Sequence, residues 1–132
     1  MSDKSDVNFK REIEKSLDEA IARVTEALKS EGFGILTRID FHLKIKEKLG
    51  KELSPVVILG ACNPSLAYEV FQRNTDVTSL IPCNVVVRDI GHGRVSVEMA
   101  KPTTIMKALG DRELVVMAQD ADQRLLKILE AL

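Results

Sequence analysis

The stretch NVVVRDIGHGRVSVEMA, running from Asn84 to Ala100, decides the fold. Val95, Val97 and Met99 alternate with Ser96 and Glu98, the period of a strand with one buried face. Gly91-His92-Gly93 interrupts the apolar residues on either side, and glycines supply the positive φ that a tight strand connection needs. The sequence therefore predicts a hairpin, Asn84 to Ile90 and Arg94 to Ala100. A hairpin joins antiparallel neighbours, whereas parallel strands need a crossover of a dozen or more residues. A Rossmann-type sheet is disfavoured on this ground.

Working upstream, Pro55 opens Val56-Val57-Ile58-Leu59, a continuous apolar run that predicts a central strand buried on both faces. Phe33, Ile35, Thr37, Ile39 and Phe41 alternate, which predicts a strand with those five side chains on one face. Val7, Phe9, Arg11 and Ile13 alternate too and predict an edge-like first strand, with Arg11 as the flaw in its apolar face. Between the strands lie helix patterns. Ser16 with Glu19 forms a capping box ahead of Leu17, Ala20, Ile21, Val24, Ala27 and Leu28, so a helix is expected from about Leu17 to Glu31, stopped by Gly32. His42 to Leu49 reads as a short helix. Asn63-Pro64 starts another, Asn as the cap and Pro in the first turn, where its missing N–H costs nothing. Asn74 to Pro82 is expected to be a loop with a helical turn, and Thr103 to Leu109 a short helix. The last helix, Asp111 to Leu132, carries Leu114, Ala118, Ala121, Leu125, Ile128 and Leu132 as one seam, for packing on the sheet or on a twin subunit.

These elements predict one α+β domain over 1–132: a two-layer structure, a largely antiparallel sheet of about five strands with helices on one face. Residues 1–6 are expected to be a disordered tail. Leu, Ile, Val and Phe make up about a third of the chain, well above the roughly 20% below which disorder is expected. The 19 basic and 20 acidic residues nearly cancel, without the basic surplus of a nucleic-acid binder. The longest apolar run, Val56 to Cys62, falls far short of the roughly 20 residues of a membrane helix, and the N-terminus lacks the apolar core of a signal peptide. A cytoplasmic protein with reduced cysteines is expected.

Charge is unevenly spread. From Ser54 to Val87 only Glu69, Arg73 and Asp76 are charged, against 30% over the chain. This segment is expected to be interior, or to line an apolar site or interface. It holds both cysteines, each followed by asparagine: Gly60-Ala61-Cys62-Asn63-Pro64 and Ile81-Pro82-Cys83-Asn84. If their strands pair, Cys62 and Cys83 face each other across a small cleft with two asparagines in reach of a ligand. A helix N-terminus would favour the thiolate of Cys62; the competing reading is that both are small packing residues. Asp40 ends a strand, as a site residue or as a helix cap. The cysteines are 21 positions apart and His42 and His92 are isolated, which disfavours a zinc site. Phosphate-binding and nucleophile-elbow motifs are absent.

Gly32-Phe33-Gly34-Ile35-Leu36-Thr37 with Ile39-Asp40, Leu59 to Pro64 with Leu66-Ala67-Tyr68-Glu69, and Ile81 to Val87 together resemble the family catalogued as domain of unknown function 302. The resemblance spans nearly the whole chain. It implies a small bacterial or archaeal α+β domain, a homodimer, and no activity that can be transferred. It marks Asp40, Cys62, Asn63, Cys83 and Asn84 as candidate ligand-binding residues. The function expected first is a non-catalytic homodimeric module binding a small molecule or a partner near the two Cys-Asn motifs, with no cofactor, metal, nucleic acid or membrane. Sulfur transfer or redox chemistry at Cys62 and Cys83 is the alternative; a purely structural or interaction role is the third.

Overall fold

A computed structural model describes residues 7–132; the expectation for residues 1–6 lies outside the described residues. In chain order the elements are β1 (Asn8–Ile13), α1 (Leu17–Ser30), β2 (Gly34–Asp40), α2 (Phe41–Leu49), β3 (Val56–Cys62), α3 (Pro64–Arg73), a 3-10 turn (Thr75–Leu80), β4 (Cys83–Gly91), β5 (Arg94–Ala100), α4 (Pro102–Lys107) and α5 (Arg112–Glu130). The five strands form one sheet in the order β1-β5-β4-β3-β2, with every neighbouring pair antiparallel. The architecture is α+β, as the hairpin implied. Gly91 pairs with Arg94, so the hairpin loop is His92-Gly93 alone, both at positive φ (55° and 71°). Two such residues give the loop the twist that continues into the flanking strands.

Cross-strand register fixes the two faces. Phe9, Met99, Val85 and Leu59 form one row, and Arg11, Val97, Val87 and Val57 the next. On these rows α1 lays Ala20, Ile21, Val24, Ala27 and Leu28, and α5 lays Ala121, Leu125, Ile128 and Leu129. The seam on α5 therefore packs within the chain. Arg11 fits this face because its guanidinium donates to the carbonyls of Leu129 (3.0 Å) and Glu130 (2.8 Å). Carbonyls in the last turn of a helix are short of partners, that of Leu129 having only the Leu132 N–H at 3.4 Å along its own chain end, and a cation suits the negative end of the dipole.

Two strand expectations are corrected. β3 has its side chains fully buried on one face only: Val57, Leu59 and Ala61 are buried, whereas on the other side Val56 and Ile58 are half-buried and only Gly60, beneath Thr37 and Pro82, is enclosed. No helix layer covers that second face in a two-layer fold, so a continuous apolar run here signals an open apolar face. β2 does not keep Phe33, Ile35, Thr37, Ile39 and Phe41 together. Its register shifts between Ile35 and Thr37, and one inserted residue sends all later side chains to the opposite face. Ile35 thus joins the core, while Thr37 and Ile39 stand with Gly60 and Ile58 on the open face.

A second, smaller core joins α3, the 3-10 turn, α4 and the first half of α5 through Val70, Val77, Met106, Leu114 and Ala118. Arg73 on α3 grips Asp111 ahead of α5 through Nε and Nη2 at 3.0–3.2 Å. Asp122 of α5 accepts from the backbone N–H (3.0 Å) and the hydroxyl (2.6 Å) of Thr103, satisfying the start of α4.

Candidate functional site

The candidate site lies where the two cores meet. Ala61 near the end of β3 pairs with Cys83 at the start of β4, so Cys62 sits one residue beyond the cross-strand partner of Cys83. Both thiols line one narrow cavity of about 40 Å³. Its wall is apolar, built from Phe33, Leu66, Val70, Ile81, Met106 and the two small side chains Ala118 and Ala121 on α5, among others. The peptide bond between Ile81 and Pro82, just before Cys83, is cis.

Asn63 also lines the cavity. Its side chain caps α3, accepting from the Leu66 N–H at 3.2 Å, and Pro64 follows in the first turn, as the Asn-Pro pair implied. Burial pushes the Cys62 thiol up from its ordinary value. Cys83 is pushed up to about 11, first by burial, then by the neighbouring Cys62 and by Asp122. Desolvation disfavours the thiolate. Near neutral pH both sulfurs are thiols, and neither is in a disulfide.

Of the five residues singled out in the sequence, the structure brings Cys62, Asn63 and Cys83 together. Asp40 and Asn84 lie apart from them. Asp40 pairs with Val57, at the other end of β3, roughly 17 Å away at about 3.3 Å per residue. It occupies the N-cap position of α2 without a capping bond and pairs with Arg38 at 3.1 Å. Asn84 is exposed, with Gly60 of the open face beside it in register. Sequence reasoning missed Met106, Ala118, Ala121 and Phe33. The signal was present in α5, where the seam runs Leu114-Ala118-Ala121-Leu125: two consecutive small residues leave space where leucine would fill it. His42 is engaged elsewhere, its Nδ1 within 3.0–3.1 Å of the backbone N–H and carbonyl of Val56.

No helix among the described residues is long and apolar enough to cross a membrane. No curated protein matches the chain. A solved structure described as the crystal structure of uncharacterized conserved protein DUF302 from Bacillus stearothermophilus is similar over 96% of this chain and 98% of its own, with 33% identity and a TM-score of 0.87. The sequence pattern of the domain of unknown function DUF302 matches residues 9–132. On both grounds the chain belongs to the DUF302 family.

Proposed function

We propose that the chain is a non-catalytic, homodimeric binding module whose cavity holds a small apolar ligand against Cys62, Asn63 and Cys83. One observation carries the ligand: both thiols open on a cavity whose wall is otherwise almost wholly apolar. An apolar pocket with a few convergent polar groups is the usual form of a small-molecule site. The small space inside favours a ligand of a few heavy atoms, or entry with some opening of α4. A reducing cytoplasmic setting fits the two unpaired thiols.

The test is a panel of small apolar fragments, some bearing a thiophilic group, followed by ligand-observed NMR. Signals should be stronger with wild type than with Ala118→Leu, which fills the cavity, or with Cys62→Ser combined with Cys83→Ser. A panel in which no fragment prefers wild type over these variants would sink the reading.

Thiol chemistry is the second reading, favoured by one feature, two sulfurs on one cavity. It needs a thiolate near neutral pH, and burial works against that at both positions.

A further inference from the structure

Three of the side chains that line the narrow cavity carry sulfur: Cys62, Cys83 and Met106. They reach it from three elements, the end of β3, the start of β4 and α4. The pairing of Ala61 with Cys83 sets Cys62 diagonally across from Cys83. Paired positions are roughly 5 Å apart and a strand rises about 3.3 Å per residue, which puts the two α-carbons about 6 Å apart. Met106 is buried and closes the space from the helical side. A water needs roughly 10–15 Å³ of such space, so the cavity of about 40 Å³ has room for one ion among the three sulfurs.

Donor type selects the ion. Thiolate and thioether sulfur select soft cations such as Cu(I), whereas carboxylate, carbonyl and water suit magnesium, calcium and manganese. Among the described residues no three His, Cys, Asp or Glu side chains converge, so the cavity lacks the donor set of a structural zinc site. Cu(I) has a closed d shell and accepts linear or trigonal sulfur coordination, which asks for fewer ligands. The rest of the wall, Phe33, Leu66 and Val70 among it, is apolar and limits the access of water to a bound ion.

Two thiolates around a monovalent cation leave one negative charge. α3 begins at Pro64, two residues after Cys62, and brings the positive end of its dipole to that side. Asn63 caps α3 through Oδ1, which leaves its Nδ2 to donate to a thiolate at the cavity wall. Asp122 opposes the charge at Cys83, but its carboxylate already accepts from the N–H and hydroxyl of Thr103.

We propose that Cys62, Cys83 and Met106 form a site for one soft monovalent cation of the Cu(I) type, with the two cysteines as thiolates and the Met106 thioether as the third donor. As each cysteine sulfur bonds to the ion, its proton passes to solvent, and the ion keeps its oxidation state. The site goes beyond the apolar-ligand reading and does not depend on it: the ion needs the three sulfurs, a fragment needs the apolar wall.

An anaerobic titration of the full chain with Cu(I) held by the chromophoric chelator bicinchoninate tests the proposal. Wild type should withdraw one Cu(I) per chain and bleach the complex. Cys62→Ser and Cys83→Ser should each weaken uptake by roughly a hundredfold or more, beyond the usual effect of losing an outer-shell partner. Met106→Leu, a swap that packing tolerates, should weaken it by about tenfold, as for a weak third donor, with the unfolding midpoint near wild type. X-ray absorption on loaded wild type guards against variants that unfold, and should show sulfur alone around copper. Copper left on the chelator, one ion shared between two chains, uptake unchanged in both cysteine variants, or nitrogen or oxygen bonded to copper overturns the proposal. So does uptake indifferent to Met106→Leu, as far as the third donor goes. Fragments that bind a chain unable to take Cu(I) sink this proposal alone; Cu(I) uptake by a chain that binds no fragment sinks only the apolar-ligand reading.

Discussion

Gly60 is the most tightly enclosed of the glycines. A Cβ there would fall on Thr37 Oγ1 and within 2.8 Å of Pro82 Cγ, and the ring of Pro82 has little freedom to retreat. Gly60→Ala should cost about 1–3 kcal/mol, the range for overpacking a close-fitted site, seen as a lower denaturant midpoint. Thr37→Ala in the same chain should recover part of the loss. An unchanged midpoint in Gly60→Ala would show that β2 and the Pro82 turn yield freely. The thiols give a second prediction. Cys83 is raised from the ordinary 9.0 to about 11, so folding favours its protonated form. That contribution is complete below pH 9 and is lost as pH rises through about 11. Alkylation followed separately at the two cysteines should be slow in the native protein at neutral pH, slower at Cys83 than at Cys62, and fast at both once unfolded. Rapid native labelling of Cys83 near pH 7 would instead promote the thiol chemistry. At this scale the sequence was informative about identity and silent about direction. The repeated Cys-Asn fragment marked Cys62 and Cys83, but Asn63 turns to the cavity and Asn84 to solvent, because one follows a strand and the other lies within one.

Helix α3 shows what a cap contributes when it is also a wall. Asn63→Ala removes the acceptor for the Leu66 N–H and should lower stability by about 1 kcal/mol. Asn63→Asp keeps the cap and should leave the unfolding midpoint near wild type, while placing a carboxylate at the cavity. If fragment binding falls in Asn63→Asp with the midpoint unchanged, Asn63 contacts the ligand; if the two fall only together, it acts through the helix alone. The start of this helix was legible because Asn-Pro has a local physical meaning. So were the capping box at Ser16 and Glu19, now seen with both its bonds, and the hairpin loop. β2 was not legible to the same degree. Its alternation is unbroken in the sequence, yet the shift at Leu36 depends on pairing with β3, and pairing is a property of two strands. Arg11 is a similar case: its partners at Leu129 and Glu130 lie 118 and 119 residues away.

At the scale of the molecule, the charge-poor stretch from Ser54 to Val87 has three destinations. Part enters the main core, part the helical core around Val70 and Val77, and part the open sheet face at Val56, Ile58 and Val86. Composition alone could not separate them, because apolar residues answer equally to a core, a cavity and an interface. What holds α3 and the start of α5 together within the helical core is partly ionic. Arg73, from the end of α3, holds Asp111 ahead of α5 with two nitrogens. The Arg73 hydrogen bonds keep the Asp111 carboxyl below its usual range, with the N–H of Glu113 adding to the effect. A carboxyl depressed by folding stabilises the native state above its unfolded value, and the contribution is lost as pH falls through the lower, native one. Stability measured against pH should therefore decline on the acid side in wild type. Arg73→Met should flatten that limb by returning Asp111 towards its ordinary value, with little change in slope above pH 6. Asp111→Asn should flatten it likewise while preserving the cap on Glu113. The pair is exposed, so the effect should shrink in high salt. An acid limb unaltered by either variant would mean that α3 and α5 are joined by packing at Val70, Leu114 and Ala118 rather than by charge.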